Sequence, residues 1–273
     1  MFKVEDDIMK TILANNISIN YRIDLQRDKD PDAPVIMLSN SLLSSYSMWD
    51  DQIESLTEYF NVLRYDTRGH GGTDAPSSDY SIDIFVEDAV SLLDKLNIDK
   101  VHFIGLSMGG FIGQLFAAKY PERVVSLTLC DTACVMPPAS LWDDRIKTAE
   151  NNGVESLIEG TLGRWFTAPF RQTNPKDVQK ITEMIRNTGV LGYVNCAKAI
   201  RDMDQRHILK GINVPTNIIV GDKDPACPVS ASETLHSGIS GSHLVILNDA
   251  AHLPNIEKKD EFNIALLHFL KSE

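Results

Sequence analysis

Residues 101–120 read VHFIGLSMGGFIGQLFAAKY, in which a Gly-x-Ser-x-Gly pentapeptide joins two apolar runs. The first run, Val101 to Ile104, has the length of a buried strand, and the second, Phe111 to Tyr120, has the composition of a helix. A serine between them would lie on a sharp, strained turn, and the flanking glycines would leave room for it. The turn would lift its hydroxyl to the edge of a sheet, at a helix N-terminus that favours developing negative charge. The stretch therefore predicts a nucleophile at Ser107.

Further short apolar runs recur along the chain, with helical stretches between them. Near-continuous apolar runs, rather than strict alternation, are typical of strands that are covered on both faces. These runs are Val35 to Leu38, Asn61 to Tyr65, Val124 to Cys130, Asn217 to Val220 and Leu244 to Leu247. Ahead of them, Lys10 to Leu25 is expected to form a hairpin that turns at Asn15 and Asn16. The pattern predicts an α/β protein with a doubly wound, mostly parallel sheet.

One long segment interrupts the alternation. Residues from Pro137 to about Arg206 have helical periodicity but contain no convincing strand. Inserted after a strand, such a segment would lie above the carboxyl ends of the strands, where sheets of this kind bind ligands. We therefore expect a single domain over residues 1–273, with a helical lid at about 137–206.

The overall charge excludes some classes of partner. The 273-residue chain has 38 acidic residues against 26 lysines and arginines, a net charge of −12, whereas nucleic-acid binding needs a basic face. No run approaches the roughly 18 apolar residues of a membrane span, and Met1 to Lys10 lacks the apolar core of a signal peptide. The four cysteines have neither zinc-site spacing nor the density of a disulfide framework. We expect a cytoplasmic enzyme or binding protein with no nucleic acid, membrane or metal partner.

A serine nucleophile needs a histidine base and an acid that orients it, in the chain order serine, acid, histidine. His252 follows the last predicted strand and is the expected base. The sequence GDKDP at 221–225 follows the preceding strand, and Asp224 is favoured as the acid over Asp222 because it lies further into the loop. Asp131, at the end of an earlier strand, is the other alternative. The remaining histidines are expected to shape a loop (His70) or to lie on the surface (His102, His207, His236, His243 and His268).

An oxyanion hole requires two backbone N–H groups that point at the tetrahedral oxygen. Met108 follows the nucleophile and is one expected donor. The loop after the Val35 to Leu38 strand should supply the second donor, and Leu42 has the right position for it. Asn40 and Ser41 are expected to hold the shape of this loop and to contact the substrate.

With these motifs the sequence resembles the α/β-hydrolase superfamily over essentially its whole length. Ser107, Asp224 and His252 match the triad motifs, and DTRGHG at 66–71 matches a loop signature of the superfamily. Within it the chain is most similar to the 3-oxoadipate enol-lactonases of bacterial aromatic degradation. The similarity is carried by NSL at 40–42, Trp142 with Arg145, RWFT at 164–167, the region 192–204 and AHL at 251–253. Leu43 departs from this pattern, since those lactonases usually have glycine there, and a positive φ would strain a leucine.

The resemblance implies hydrolysis of the enol-lactone of 3-oxoadipate, with no metal or organic cofactor. This lactone carries a carboxylate, which the acidic chain would repel unless a local cation offset the field. The candidate lid cations are Lys147, Arg145, Arg164, Arg171 and Arg201. Arg145 ranks first because it follows Trp142 by one helical turn, and Arg164, beside two aromatic residues, ranks second.

Other functions remain open at this point. The same triad serves other esterases, lactonases and carbon–carbon hydrolases, and a cofactor-free perhydrolase would use the same acyl-serine. A non-catalytic ligand receptor on a hydrolase fold is an alternative from another class.

Overall fold

The computed structural model describes residues 10–273, in which one sheet of eight strands forms the centre. The strands are β1 (Lys10–Ala14), β2 (Ile17–Asp24), β3 (Val35–Ser39), β4 (Asn61–Tyr65), β5 (Val101–Leu106), β6 (Val124–Cys130), β7 (Thr216–Gly221) and β8 (His243–Leu247). Their order across the sheet is β1-β2-β4-β3-β5-β6-β7-β8. Strands β3 to β8 pair in parallel, and only the β1–β2 and β2–β4 pairs are antiparallel. The predicted doubly wound, mostly parallel sheet is confirmed.

Helices cover both faces of the sheet and fill the connections between its strands. In chain order they are α1 (Asp50–Leu56), α2 (Ile82–Leu96), α3 (Met108–Lys119), α4 (Ala139–Asn152), α5 (Ile158–Trp165), α6 (Ala168–Thr173), α7 (Pro175–Arg186), α8 (Val190–Asp202), α9 (Val229–Gly238), α10 (Pro254–Glu257) and α11 (Lys259–Leu270). None of these helices is long and apolar enough to span a bilayer.

Local sequence determines where the elements begin and end. The β1–β2 hairpin turns at Asn15 and Asn16, both of which have positive φ, as asparagine tolerates. Helix α2 begins after Ser81, whose side chain accepts a hydrogen bond from the N–H of Ile84, and ends at Asn97 in a left-handed conformation. Four residues at helical spacing face the sheet and are fully buried, namely Phe85, Ala89, Leu92 and Leu93.

Helices α4 to α8 form an insertion between β6 and β7, within the predicted range 137–206. Its two ends are joined, because Val135 and Asp204 form an isolated antiparallel bridge. Helix α8 also touches the loop after β4, where a Cβ on Gly192 would lie 2.0 Å from the carbonyl oxygen of Gly69. That this insertion acts as a lid on a single domain stays a prediction.

One prediction about the histidines is wrong. His102 is 5% exposed, its Nδ1 lies 2.8 Å from the hydroxyl of Ser126, and its ring packs edge-on against Phe60. Burial lowers the pKa of His102 to about 4. It is a buried histidine of the sheet, whereas the other four expected on the surface are exposed.

Candidate active site

The backbone at Ser107 is strained and tightly enclosed. Ser107 lies between β5 and α3 with φ 56° and ψ −112°, a conformation that L-residues rarely adopt. A Cβ on Gly105 would lie 2.1 Å from the carbonyl oxygen of Gly109, and one on Gly109 would lie 2.2 Å from that of Ser39. Both glycines of the pentapeptide are therefore required by close backbone contacts. Helix α3 begins directly after Ser107, three residues earlier than the apolar pattern indicated.

The side chains of His252 and Asp224 form a buried hydrogen-bonded pair. Nδ1 of His252 lies 2.7 Å from Oδ2 of Asp224, and Oδ1 of Asp224 accepts a hydrogen bond from the N–H of Ala226 at 2.7 Å. This bond uses Nδ1 and leaves Nε2 without a partner among the described residues, and Ser107 and His252 line the same cavity. Asp222 instead pairs with Lys223. Ser107, Asp224 and His252 follow three parallel strands at their carboxyl ends, where such sheets bind ligands.

Contacts with the inserted helices hold the loop that carries His252. The N–H of Leu253 donates to the carbonyl oxygen of Trp165 at 3.1 Å, and the indole ring of Trp165 stacks beside the imidazole at 6.4 Å between centroids. The carboxylate of Glu257 accepts from the N–H of Ala251 at 2.8 Å and from the N–H of Thr167 at 3.0 Å. Glu257 therefore joins the histidine loop to the insertion. Sequence reasoning missed this residue, since an acid in a short helix carries no local signal of a distant partner.

The two expected oxyanion donors have unused backbone N–H groups. Within residues 10–273, neither the N–H of Leu42 nor that of Met108 has a protein acceptor. Ser41 and Leu42 line the cavity, whereas Asn40 does not. The amide of Asn40 donates to the carbonyl oxygen of Tyr65 at 2.7 Å and accepts from the indole N–H of Trp49 at 3.0 Å. Asn40, which is 1% exposed, therefore fixes the loop from outside the cavity and does not face it.

The next residue, Leu43, has a left-handed backbone with φ 64°. Its N–H donates to Nε2 of His70 at 2.9 Å, and Nδ1 of His70 lies 3.3 Å from the carbonyl oxygen of Arg68. Burial lowers the pKa of His70 to about 4, so the ring is neutral near pH 7 and can accept this bond. The histidine therefore shapes the predicted oxyanion loop, in which the leucine has a strained backbone.

The cavity around Ser107 and His252 contains about 550 Å³ of space, including its mouth. The insertion supplies much of its wall, namely Trp142, Arg145, Leu157, Thr161, Arg164, Trp165, Tyr193 and Ile200. The other lid cations do not line it: Lys147 is exposed, Arg171 pairs with Glu159, and Arg201 pairs with Asp143 and Asp202.

Arg145 and Arg164 have no acidic partner among the described residues. The guanidinium of Arg145 lies 5.1 Å from the ring centroid of Trp142, and Nη2 of Arg164 donates to the hydroxyl of Thr161 at 3.3 Å. Burial lowers the pKa of both, that of Arg164 to about 10 with a contribution from the charge of Arg145. Burial also raises the pKa of the Tyr193 phenol, which lies near both cations, to about 12. Both arginines stay charged near neutral pH, so the wall carries two positive charges.

Asp224, Cys227 and His252 also offer three possible metal-ligand atoms within 4.8 Å of one another. The carboxylate and imidazole already bind each other, and burial raises the pKa of the Cys227 thiol well above its usual value. A metal would need the thiolate and a broken His–Asp hydrogen bond, so these residues fit the orientation of a base better than a metal site.

A doubly wound sheet with this constellation at its strand ends is the architecture of an α/β hydrolase. The chain belongs to that family, because the family described as alpha/beta hydrolase fold matches residues 34–259. The 3-oxoadipate enol-lactonase 2 of Acinetobacter baylyi is 33% identical over 261 residues, which covers 96% of each chain. A putative carbamate hydrolase, RutD, of Agrobacterium fabrum is 30% identical and covers 88% of this chain and 94% of its own.

A solved structure is similar as well. The enol-lactonase from Burkholderia xenovorans superimposes with a TM-score of 0.93 at 37% identity, covering 96% of this chain and 100% of that one. Together with the family match, these relatives show that the chain is a hydrolase of this kind.

The triad assignment predicts a graded series of losses. Ser107→Ala should abolish hydrolysis of p-nitrophenyl acetate, and Asp224→Asn should lower kcat by about 10⁴-fold because the imidazole would adopt the wrong tautomer. Asp222→Asn is the matched control and should retain wild-type kcat. Wild-type turnover by Ser107→Ala would contradict the assignment. So would a small loss of kcat in Asp224→Asn together with a large loss in Asp222→Asn.

The strain at Leu43 can be separated from its burial by comparing two small replacements. Both Leu43→Ala and Leu43→Gly lose a side chain that is only 3% exposed, so both should be less stable than wild type. Only glycine relieves the positive φ, so Leu43→Gly should be more stable than Leu43→Ala by about 1 kcal/mol, or about 2 °C in Tm. Thermal melting of the two variants measures this difference. A glycine variant that melts below the alanine variant would show that the leucine is unstrained.

Proposed function

We propose that this hydrolase opens the enol-lactone of 3-oxoadipate to 3-oxoadipate, as a cytoplasmic enzyme of bacterial protocatechuate and catechol degradation. The observation that carries the proposal is the pair of half-buried guanidinium groups, Arg145 and Arg164, in the wall of the cavity that Ser107 and His252 share. The relatives named as enol-lactonases support the same substrate.

The charges of the cavity favour an anionic substrate. The chain has a net charge of −12, which repels anions at long range. Removing a cation from water, even in part, is costly without a partner, and the half-buried Arg145 and Arg164 have no acidic partner in the described chain. A carboxylate on the substrate would supply that partner through charge-assisted hydrogen bonds, which are stronger than neutral ones. A neutral ester would offer neither cation such a partner.

The chemistry needs only acyl and proton transfer, for which the chain's own groups suffice. Ser107 attacks the ring carbonyl while His252 accepts its proton and Asp224 stabilises the imidazolium. The N–H groups of Leu42 and Met108 stabilise the tetrahedral oxyanion.

Ring opening releases an enolate, a better leaving group than an ordinary alkoxide. This group remains attached to the acyl-enzyme and could attack it again. Conversion of the enol to the ketone removes that nucleophile, which makes ring opening effectively irreversible. Water activated by His252 then releases the product.

The direct test is an ultraviolet assay that follows disappearance of the enol-lactone with purified protein. We expect turnover that Ser107→Ala eliminates. A fluorophosphonate could instead label Ser107 in a protein that hydrolyses other esters, carbamates or peracids but not the lactone. That result would contradict the lactonase proposal and assign the protein one of those other activities. Labelling without turnover of any acyl substrate would favour a ligand receptor.

The cation pair predicts a substrate-selective effect. Arg145→Met should lower kcat/KM for the enol-lactone by roughly 10- to 150-fold, because a charge-assisted hydrogen bond contributes about 1.5–3 kcal/mol. Hydrolysis of neutral p-nitrophenyl acetate should change far less. Lys147→Met, on the same helix but exposed, is the matched control and should leave both substrates unaffected. Equal losses on both substrates would mean that Arg145 only supports the insertion, and the same comparison with Arg164→Met tests the second cation.

A further inference from the structure

Asp131, the alternative acid of the sequence, lies at the end of β6 behind the histidine–aspartate pair. It is completely buried, and its N–H donates to the carbonyl oxygen of Ile219 at 2.9 Å. Its Oδ1 accepts a hydrogen bond from the N–H of Gly221 at 2.9 Å. Its Oδ2 is buried, and no donor group of the described residues reaches it. A carboxylate oxygen without a donor in such a place is costly, whereas a protonated oxygen can donate.

The neighbour that can accept from Asp131 is Asp224. Gly221 links the two residues, since its N–H donates to Oδ1 of Asp131 at 2.9 Å and its carbonyl oxygen accepts from the N–H of Asp224 at 3.2 Å. The two carboxyl groups are therefore close enough for the charge of Asp224 to act on Asp131, and Glu257 adds a further negative charge nearby. The other titratable groups that face Asp131 are the thiols of Cys130 and Cys227, both of which are neutral because burial raises their pKa. Among residues 10–273, Asp131 forms no ion pair with a lysine or arginine, and His252 pairs with Asp224 instead. Two adjacent buried carboxyl groups cannot both be ionised at low cost, so one of them retains a proton.

The hydrogen bonds indicate which of the two is neutral. Both oxygens of Asp224 are satisfied as acceptors, one by Nδ1 of His252 and the other by the N–H of Ala226. Asp131 has a donor for only one of its oxygens. Burial, followed by the charge of Asp224, raises the pKa of Asp131 well above its usual range. The ionised form therefore suits Asp224, and the protonated form suits Asp131.

We propose that Asp131 carries a proton at neutral pH and donates it in a hydrogen bond to the carboxylate of Asp224. Asp131 is then a positioning residue that acts on His252 through Asp224. It holds the acid from behind and leaves one negative charge, not two, next to the imidazole. A second charge there would favour the protonated form of His252, which cannot serve as a base. The role in positioning rests on the proposed triad, whereas the protonation of Asp131 does not.

The isosteric Asp131→Asn variant distinguishes a neutral from an ionised Asp131. Asparagine keeps an acceptor for Gly221 and a donor for Asp224, and it tolerates the positive φ of 43° at this position. If Asp131 is already neutral, the substitution changes no charge, and the acidic limb of the kcat/KM profile for p-nitrophenyl acetate stays in place. If Asp131 is ionised, removing its charge shifts that limb to lower pH by about one unit or more, which would overturn the proposal.

Infrared spectroscopy tests the proton without any catalysis. Wild-type protein at pH 7–8 should show the C=O stretch of a protonated carboxyl group, and Asp131→Asn should lack that band. A difference spectrum without such a band would overturn the proposal. If the variant failed to fold, the absence of any protonated carboxyl band in the wild-type protein would do the same.

Stability provides a third readout, whose sign follows from linkage. Above about pH 5 the unfolded chain has released the Asp131 proton while the folded chain retains it, so this group lowers wild-type stability as pH rises. Asparagine has no such dependence. The Tm of Asp131→Asn relative to wild type should therefore increase between pH 4 and 8, and a constant difference would contradict a retained proton. Since these readouts use an ester, an infrared band and melting, failure of the enol-lactone assay would leave them interpretable.

Discussion

The close backbone contacts around Ser107 are the constraint on which the rest of the site depends. Because a Cβ on Gly109 would lie 2.2 Å from the carbonyl oxygen of Ser39, α3 begins in direct contact with the end of β3. The N–H of Gly109 also donates to the carbonyl oxygen of Asn40 at 3.0 Å, so the same contact fixes the start of the oxyanion loop relative to the nucleophile. Strain at one residue persists only where its surroundings over-determine it, and here the glycines, the loop and the helix do so.

The same segment of the inserted helices lines the cavity and holds the loop that carries His252. The side chain of Trp165 lines the cavity, and its backbone carbonyl oxygen accepts a hydrogen bond from the N–H of Leu253, the residue after His252. Glu257 connects that loop to Thr167 in the same part of the insertion. Arg164, one residue before Trp165, faces the cavity as well. Under the proposed function, a substrate bound by this segment would therefore also act on the position of His252 and couple recognition to the orientation of the base.

Features with a local signature could be predicted from the sequence, and features that depend on distant partners could not. The strands have such a signature in their runs of apolar residues, and the sharp turn at Ser107 has one in its flanking glycines. A positive φ at Leu43 could be suspected from the sequence because leucine stands where the family usually has glycine. His102 was placed wrongly because its partner, Ser126, belongs to another strand. Nothing near Glu257 in the sequence indicates Thr167, which is 90 residues away.

Asp131 and Asp224 illustrate the same limit in a form that bears on mechanism. The sequence offers them as alternatives for one role, because each follows a strand at the edge where the histidine returns. The fold brings them together, so the question changes from which residue is the acid to how the two divide one negative charge. Two ionised carboxylates there would strengthen the field that an anionic substrate must overcome in a protein of net charge −12. A protonated Asp131 limits that charge to Asp224, which the imidazolium would neutralise in the proposed reaction, while Arg145 and Arg164, which also line the cavity, would remain available for the substrate.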